Sequence, residues 1–450
     1  MKNKGFTLVE LLAVIVVLSI ITLIGYSSVG NIISSTQDNS NKITMKNYAK
    51  AVDQALFLYE MNNSDSNLSE LNANWLKENV KFEKATVECE YATYDKTSSL
   101  YGCKVNNSDK TYCYTGDTAV ECNKDKPSKI YGESIQNGTP TPTSPVEIQS
   151  VGDKTNNLYN NDDVIFTKLK LITLDTPLEA GTYTISLEFD NDNEAYNEGL
   201  LFYLGESGSA IGNLSFSKGE RSSNTVTFDQ KIYKLSFYAT DKGSTNTGVN
   251  ATYKNIKIEK GSTATSYEPY GYKIPITVTN GTETKTTNIY LKEPLRKVGD
   301  SADYLDLTNK KVVRNVKELS LSQQTAGVYT YTYSNLNGVV FTNALDSSKN
   351  RVVGLSNVDT VINKTPKEGH YMWFGVNSKV IYWVGILDYL GISNVSEFNN
   401  WLKSNSTLAY YGLETPIEES VNVSMVPRLT GNVTYTIGTG IQPSKIEYGY

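Results

Sequence analysis

A single histidine serves a chain of 450 residues, and His370 therefore has no second imidazole with which to build a zinc site. Flanked by aromatics in "GHYMWFGV", it reads as a packed or sheet-edge residue rather than as a base. The sequence also lacks a G-x-S-x-G elbow, a phosphate-cradling Walker loop and an H-E-x-x-H helix. Carboxylate pairs occur, as in any chain with 48 acidic residues, but nothing singles one out. The chain thus reads as no enzyme, with no cofactor. Charge is sparse as well: 20% of residues are charged, the net charge is −6, and no dense basic block exists. Nucleic acid is not an expected partner.

Cysteine is scarce and clustered. Cys89, Cys103, Cys113 and Cys122 all fall within 34 residues, none in a C-x-x-C arrangement. Two disulfides in an oxidising compartment is the expectation, with all three connectivities open. Calcium has only a weak candidate: Asp190, Asp192 and Glu194 alternate in "FDNDNEAYNEG", without the glycine and terminal glutamate of an EF-hand loop. A solvated turn is the simpler reading, and no metal is expected.

What the chain does have is one long apolar run. Phe6–Gly25 is 20 residues long, with only Thr7, Glu10, Ser19 and Thr22 polar, which suits a helix crossing the hydrocarbon core. Lys2 and Lys4 precede it and the next basic residue is Lys42, so the N-terminus is placed in the cytoplasm and the rest outside. No A-x-A-like cleavage site follows the run, and the segment reads as retained. Apolar residues then recur at spacings of three and four through Val29, Ile32, Ile33, Ile43, Ala49, Val52, Ala55, Leu56 and Tyr59. One continuous helix from Phe6 to about Tyr59 is predicted, apolar all round at first and amphipathic afterwards.

Beyond it, "SNLSELNANWLKEN" reads as a short helix with Leu68, Leu71 and Trp75 on one side, and four strand-like runs carry the cysteines. The fold class expected is α+β: a long N-terminal helix with a small disulfide-stapled β head, followed by all-β, jelly-roll or sandwich-like modules. The divisions are 6–26 as transmembrane half-helix and 27–124 as amphipathic helix and head. A Pro/Gly/Thr-rich linker over 125–150 follows, then a β-sandwich module over 151–271 and a second β-rich module over 272–450. In the last, Asn394 and Glu397 have capping-box spacing for a helix with Phe398, Trp401 and Leu402 on its apolar stripe. Tyr203, Tyr233, Tyr238, Trp373, Tyr382 and Trp383 offer stacking surfaces for a sugar, with Tyr203, Tyr238, Trp373 and Trp383 the candidates retained, although alternation in strands suits core packing equally well.

The opening "MKNKGFTLVELLAVIVVLSII" resembles the class III signal of type IV prepilins and pseudopilins, and "NYAKAVDQAL" is similar to the exposed half of the pilin helix in Gram-positive bacteria. The resemblance implies residues 1–5 as a leader, cleavage between Gly5 and Phe6 by a prepilin peptidase, N-methylation of Phe6, and 6–26 as the transmembrane and assembly half of the helix. It implies assembly in which Glu10 meets the Phe6 amine of a neighbouring subunit. Partners would be other pilin subunits, the peptidase, the membrane assembly machinery, and a carbohydrate or cell-surface ligand. The chain would be a single-pass membrane protein before assembly and part of an extracellular pilus afterwards. A buried carboxylate is costly unless a cation opposes it, which independently gives Glu10 a reason to be there. Gly25 and Gly30 stand where many pilins place a helix-loosening proline. Stretches such as "SPVEIQSVGD" and "LAYYGLETPIEE" resemble phage tail and minor structural proteins, and "YKNIKIEKGSTATSYEPY" resembles jelly-roll modules that often bind carbohydrate.

Overall fold

The computed structural model describes residues 8–62, 70–95, 97–116, 118–122, 124–241, 248–331, 336–342, 344–345, 355–358, 371–374, 380–422, 426–427, 429 and 433–450. The chain divides into one unit of Met1–Lys126 with Tyr448–Tyr450, and a second of Pro127–Glu447. Backbone continuity therefore passes between the units twice, and the second is inserted into the first.

The first unit is organised by helix α1, Leu8–Asn62, 55 residues and about 80 Å long. Its C-terminal half buries one stripe: Met45, Tyr48, Ala49, Val52 and Leu56. These lie three and four apart, on one face of the helix. Five antiparallel strands form the facing sheet in the order Glu70–Asn72, Tyr91–Asp95, Thr97–Val105, Tyr112–Thr115, Thr118–Glu121, with Val87–Glu88 also paired to Thr97–Val105. Leu71, Leu76, Ala92, Leu100 and Val105 complete the core. Each large aliphatic side chain so buried contributes about 1.5–3 kcal/mol.

The short helix departs from expectation. Helix α2 is Ala73–Asn79, and Leu71 belongs to the strand before it. Asn72 causes the shift: its side-chain oxygen accepts the Trp75 N–H at 2.9 Å and so starts the helix there.

In the second unit, eight strands between Val164 and Lys260 form two four-stranded antiparallel sheets. Numbered along the chain, one sheet runs first, eighth, third, sixth, from Val164–Thr167, Asn250–Lys260, Gly181–Asn191 and Ser222–Phe228. The other runs second, seventh, fourth, fifth, from Leu169–Leu178, Ile232–Tyr238, Glu198–Leu204 and Ala210–Ser217. Tyr183, Ile185, Leu187 and Phe189 alternate along one strand and meet Leu201, Leu235 and Phe237 from the other sheet in one core.

Residues 125–150, expected as a linker, are folded instead. Lys126–Tyr131 lies between Tyr304–Asp306 and Lys445–Gly449 in a five-stranded sheet completed by Lys311–Ser320 and Leu408–Ser420. The two ends of the inserted unit are laced together: Tyr131 donates to Glu447 Oε1 at 2.9 Å, and Ser444 donates to the Gly132 carbonyl at 2.6 Å. Nearby, buried Asp303 accepts the N–H groups of Asn315 and Val316 on one oxygen and those of Arg296 and the Arg314 guanidinium on the other. The helix Val395–Ser404 forms as its capping box predicts, with Asn394 and Glu397 exchanging bonds and Phe398 and Leu402 buried.

Candidate functional site

The chemistry expected of the N-terminus centres on residues that are outside the described set: Gly5, Phe6, and the side chain of Glu10, whose backbone belongs to α1. Among the described residues no helix is long and apolar enough to cross a membrane, and the span expected over Phe6–Gly25 lies partly outside them. The side chains that are described along this half are bare. Val9, Leu12, Val14, Ile15, Val16 and Val17 are all exposed, at positions that go round the helix. Ser19 donates its hydroxyl to the Ile15 carbonyl at 2.7 Å, which satisfies it within the helix itself. Apolar side chains exposed all round one stretch of helix mark a surface for a partner.

Where the helix becomes amphipathic, polar groups fix the head to it. Tyr112 donates to Asp38 Oδ1 and accepts from Asn41 Nδ2, both at 3.1 Å. Lys42 reaches Asp38 at 2.6 Å, and this bond leads the causes that hold the Asp38 carboxyl below its usual pKa. Asp53 accepts the Ser98 N–H at 2.8 Å. The head is stapled by Cys89–Cys103 and Cys113–Cys122, each tying a strand to the residue that follows a paired neighbour, Val87–Glu88 and Thr118–Glu121 respectively. No cysteine among the described residues is free.

The last three residues, expected within the 272–450 module, cluster with the head. The Tyr450 carbonyl accepts from the Tyr91 hydroxyl at 2.5 Å, its own hydroxyl donates to Thr111 at 3.2 Å, and Lys124 lies 5.0 Å from its ring centre. Gly102, at φ +66°, leaves room for that ring, since a Cβ there would sit 2.7 Å from it.

The sugar-stacking candidates fare unevenly. Trp383 is wholly buried, packed edge-on against Phe398 and Trp401, and cannot stack on a ligand; strand alternation turns it inward. Tyr203 packs against the sandwiched core beside Phe228, and Tyr238 is half-buried against Phe202. The Trp373 side chain and His370 are outside the described residues. Asp192 is engaged by both the backbone and side-chain N–H groups of Asn250, Asp190 by Lys218 at 3.5 Å, and Glu194 is exposed. Two of these three carboxylates thus bind their own loop and its neighbours.

The aromatics that the sequence reading missed sit on segment 261–271, "GSTATSYEPYG". Tyr267 is exposed there and Tyr270 half-buried. A buried ion pair pins the segment: Lys257 Nζ lies 3.2 Å from Glu259, donates to the Ser266 carbonyl at 2.9 Å, and Glu259 accepts both the N–H and the hydroxyl of Thr265. Burial opposes ionisation of Glu259, but these bonds outweigh it and hold its pKa below the ordinary value. Asn157 Nδ2 donates to the Glu268 carbonyl at 3.1 Å, and Thr155 donates its hydroxyl to the Pro269 carbonyl at 2.8 Å. The signal was legible as two tyrosines and a proline between two strand runs.

No curated protein matches the chain. Its residues 1–26 match the family described as the prokaryotic N-terminal methylation motif. That motif points to a pilin-like or pseudopilin-like structural protein, processed by a prepilin peptidase, assembled with other pilins, and anchored in the membrane before it is extracellular.

Proposed function

We propose that the chain is a structural, adhesive subunit of a type IV pilus, in the manner of a minor pilin of Gram-positive bacteria. A prepilin peptidase cuts between Gly5 and Phe6 and methylates Phe6. Glu10 then opposes the Phe6 amine of the adjoining subunit in an apolar bundle, where a lone carboxylate is strongly disfavoured. Acid and amine lie at different heights on each copy, so the contact is heterologous and extends as a helical filament.

The observation that carries this reading is one continuous element. The methylation motif over residues 1–26 runs into a helix whose described apolar side chains between Val9 and Val17 are exposed and whose second half holds a disulfide-stapled head. The inserted β unit, Pro127–Glu447, is the bulky part and is read as the ligand-bearing cargo. Its eight-strand order supports a jelly-roll assignment, in which each sheet mixes early and late strands. Resemblance to phage tail segments suits a recognition module of phage origin joined to a pilin N-terminus.

Shear fractions probed with an antibody to the β unit test the reading. Wild-type chain is expected in sheared fibres, and Glu10→Ala is expected to be inserted and processed but absent from them. Wild-type chain recovered only with membranes would favour a secretion or uptake pseudopilin. Normal fibre incorporation of Glu10→Ala would undo the pairing.

A further inference from the structure

Within the inserted unit, a cleft of about 740 Å³ opens between segment 261–271 and the strand Thr284–Leu291. That volume lies in the range of small-ligand sites. Four tyrosines line it: Tyr267 and Tyr270 from the pinned segment, Tyr290 from the strand, and the buried Tyr159. Asp162 and Asp163 line it from a turn that precedes the first sandwich strand, and Lys292 is the single basic residue of the lining. Its fixed charge is therefore net negative.

Tyr159 supplies the second observation. It lines the cleft, is only 2% exposed, and its hydroxyl meets no hydrogen-bonding partner. Burial, with Asp163 and Asp162 adding to it, pushes its pKa up, so the hydroxyl stays protonated and able to donate. A buried hydroxyl without a partner is uncommon and is satisfied when a ligand or water brings one. Asp163 uses one oxygen to accept the Asn255 N–H at 3.0 Å. Tyr267 is held at its ring face by the Arg221 guanidinium, 5.3 Å away.

We infer that this cleft is a binding site for a neutral oligosaccharide, with Tyr267, Tyr270 and Tyr290 stacking on sugar C–H faces and Tyr159, Asp162 and Asp163 bonding to ring hydroxyls. The inference rests on the adhesive reading of the β unit and gives that reading a site and a ligand class. Sugars combine the two surfaces that the cleft offers: flat apolar faces, and hydroxyls that donate to carboxylates and accept from phenols. The carboxylates repel uronates and phosphate-bearing polymers, so anionic glycans are the wrong class. The hydrogen bonds of segment 261–271 set two of the tyrosines before the ligand arrives, which reduces the ordering cost of binding.

The test uses the full-length chain in detergent, titrated with chitotetraose and mannotetraose as neutral probes and with tetragalacturonate as the anionic one. Tyr267→Ala and Asp162→Ala are compared at unchanged melting temperature. A neutral probe is expected to bind, at least tenfold more tightly than tetragalacturonate and at least tenfold more weakly to either variant. Full binding by both variants would overturn the cleft while leaving an adhesive β unit intact. Tighter binding of tetragalacturonate would overturn the ligand class. Binding of no probe at all would overturn the inference, while incorporation into sheared fibres continues to report on the pilus reading independently.

Discussion

Glu259→Ala should loosen the inserted unit and disarm segment 261–271 together. The substitution leaves Lys257, 0% exposed on its side chain, as an uncompensated buried cation, and it removes the acceptor for the N–H and the hydroxyl of Thr265. Breaking a buried ion pair from one side costs about 3–5 kcal/mol. A unit the length of Pro127–Glu447 unfolds with an entropy of about 0.7 kcal/mol/K, so a loss of about 4 kcal/mol lowers its melting temperature by roughly 6 °C. Differential scanning calorimetry of the whole chain reads this directly, because the head unit should keep its own transition. The double variant Lys257→Met with Glu259→Leu removes both charges and should recover most of the loss, since well-packed apolar replacements for buried pairs are often neutral or better. The pH dependence has a definite sign. The folded pKa of Glu259 is below its ordinary value of 4.5, so the stability it supplies is complete above that value and is lost as pH falls through the folded pKa. The gap between wild type and Glu259→Ala should therefore narrow in acid. A shift under about 1 °C at pH 7, or a double variant as unstable as the single, would refute the argument.

Reduction of the two disulfides, with sequence separations of 14 and 9, should cost the head about 3 kcal/mol for each loop released. A calorimetric scan with and without reductant should move the head transition and leave that of the β unit in place. Leu56→Ala should cost about 2–5 kcal/mol, since Leu56 is fully buried where α1 meets the head sheet. Its neighbour Phe57 is exposed, and Phe57→Ala should change head stability by under about 0.5 kcal/mol. Limited proteolysis of the two variants side by side checks the contrast, and equal protection would contradict the observed helix face.

The parts of this fold written in the sequence are those that local chemistry decides. The three-and-four spacing of Ala49, Val52 and Leu56 marks the helix and its buried face, whereas Ile33 and Ile43, read onto the same stripe, are exposed and Met45, outside that reading, is buried. The Asn394 and Glu397 spacing specified a helix start. What escaped was decided at long range. Lys126–Tyr131 carries the composition of a linker, and it becomes a strand because Tyr304–Asp306 pairs with it. Tyr450 belongs to the head because Tyr91, Thr111 and Lys124 receive it. Trp383 and Tyr267 are both aromatics in strand-rich sequence, and periodicity alone does not tell which one faces a core. The cleft tyrosines stay in view because a buried ion pair and backbone bonds hold their segment against the sheet, an arrangement that no short-range pattern announces.

The central claim, that this chain is matured at its N-terminus and built into a fibre, is met most directly by mass spectrometry of the N-terminal peptide from sheared extracellular material. The account predicts a chain that begins at Phe6 with a methylated α-amine. Chains in that material that still begin at Met1, or that are cut at any other bond, would contradict it.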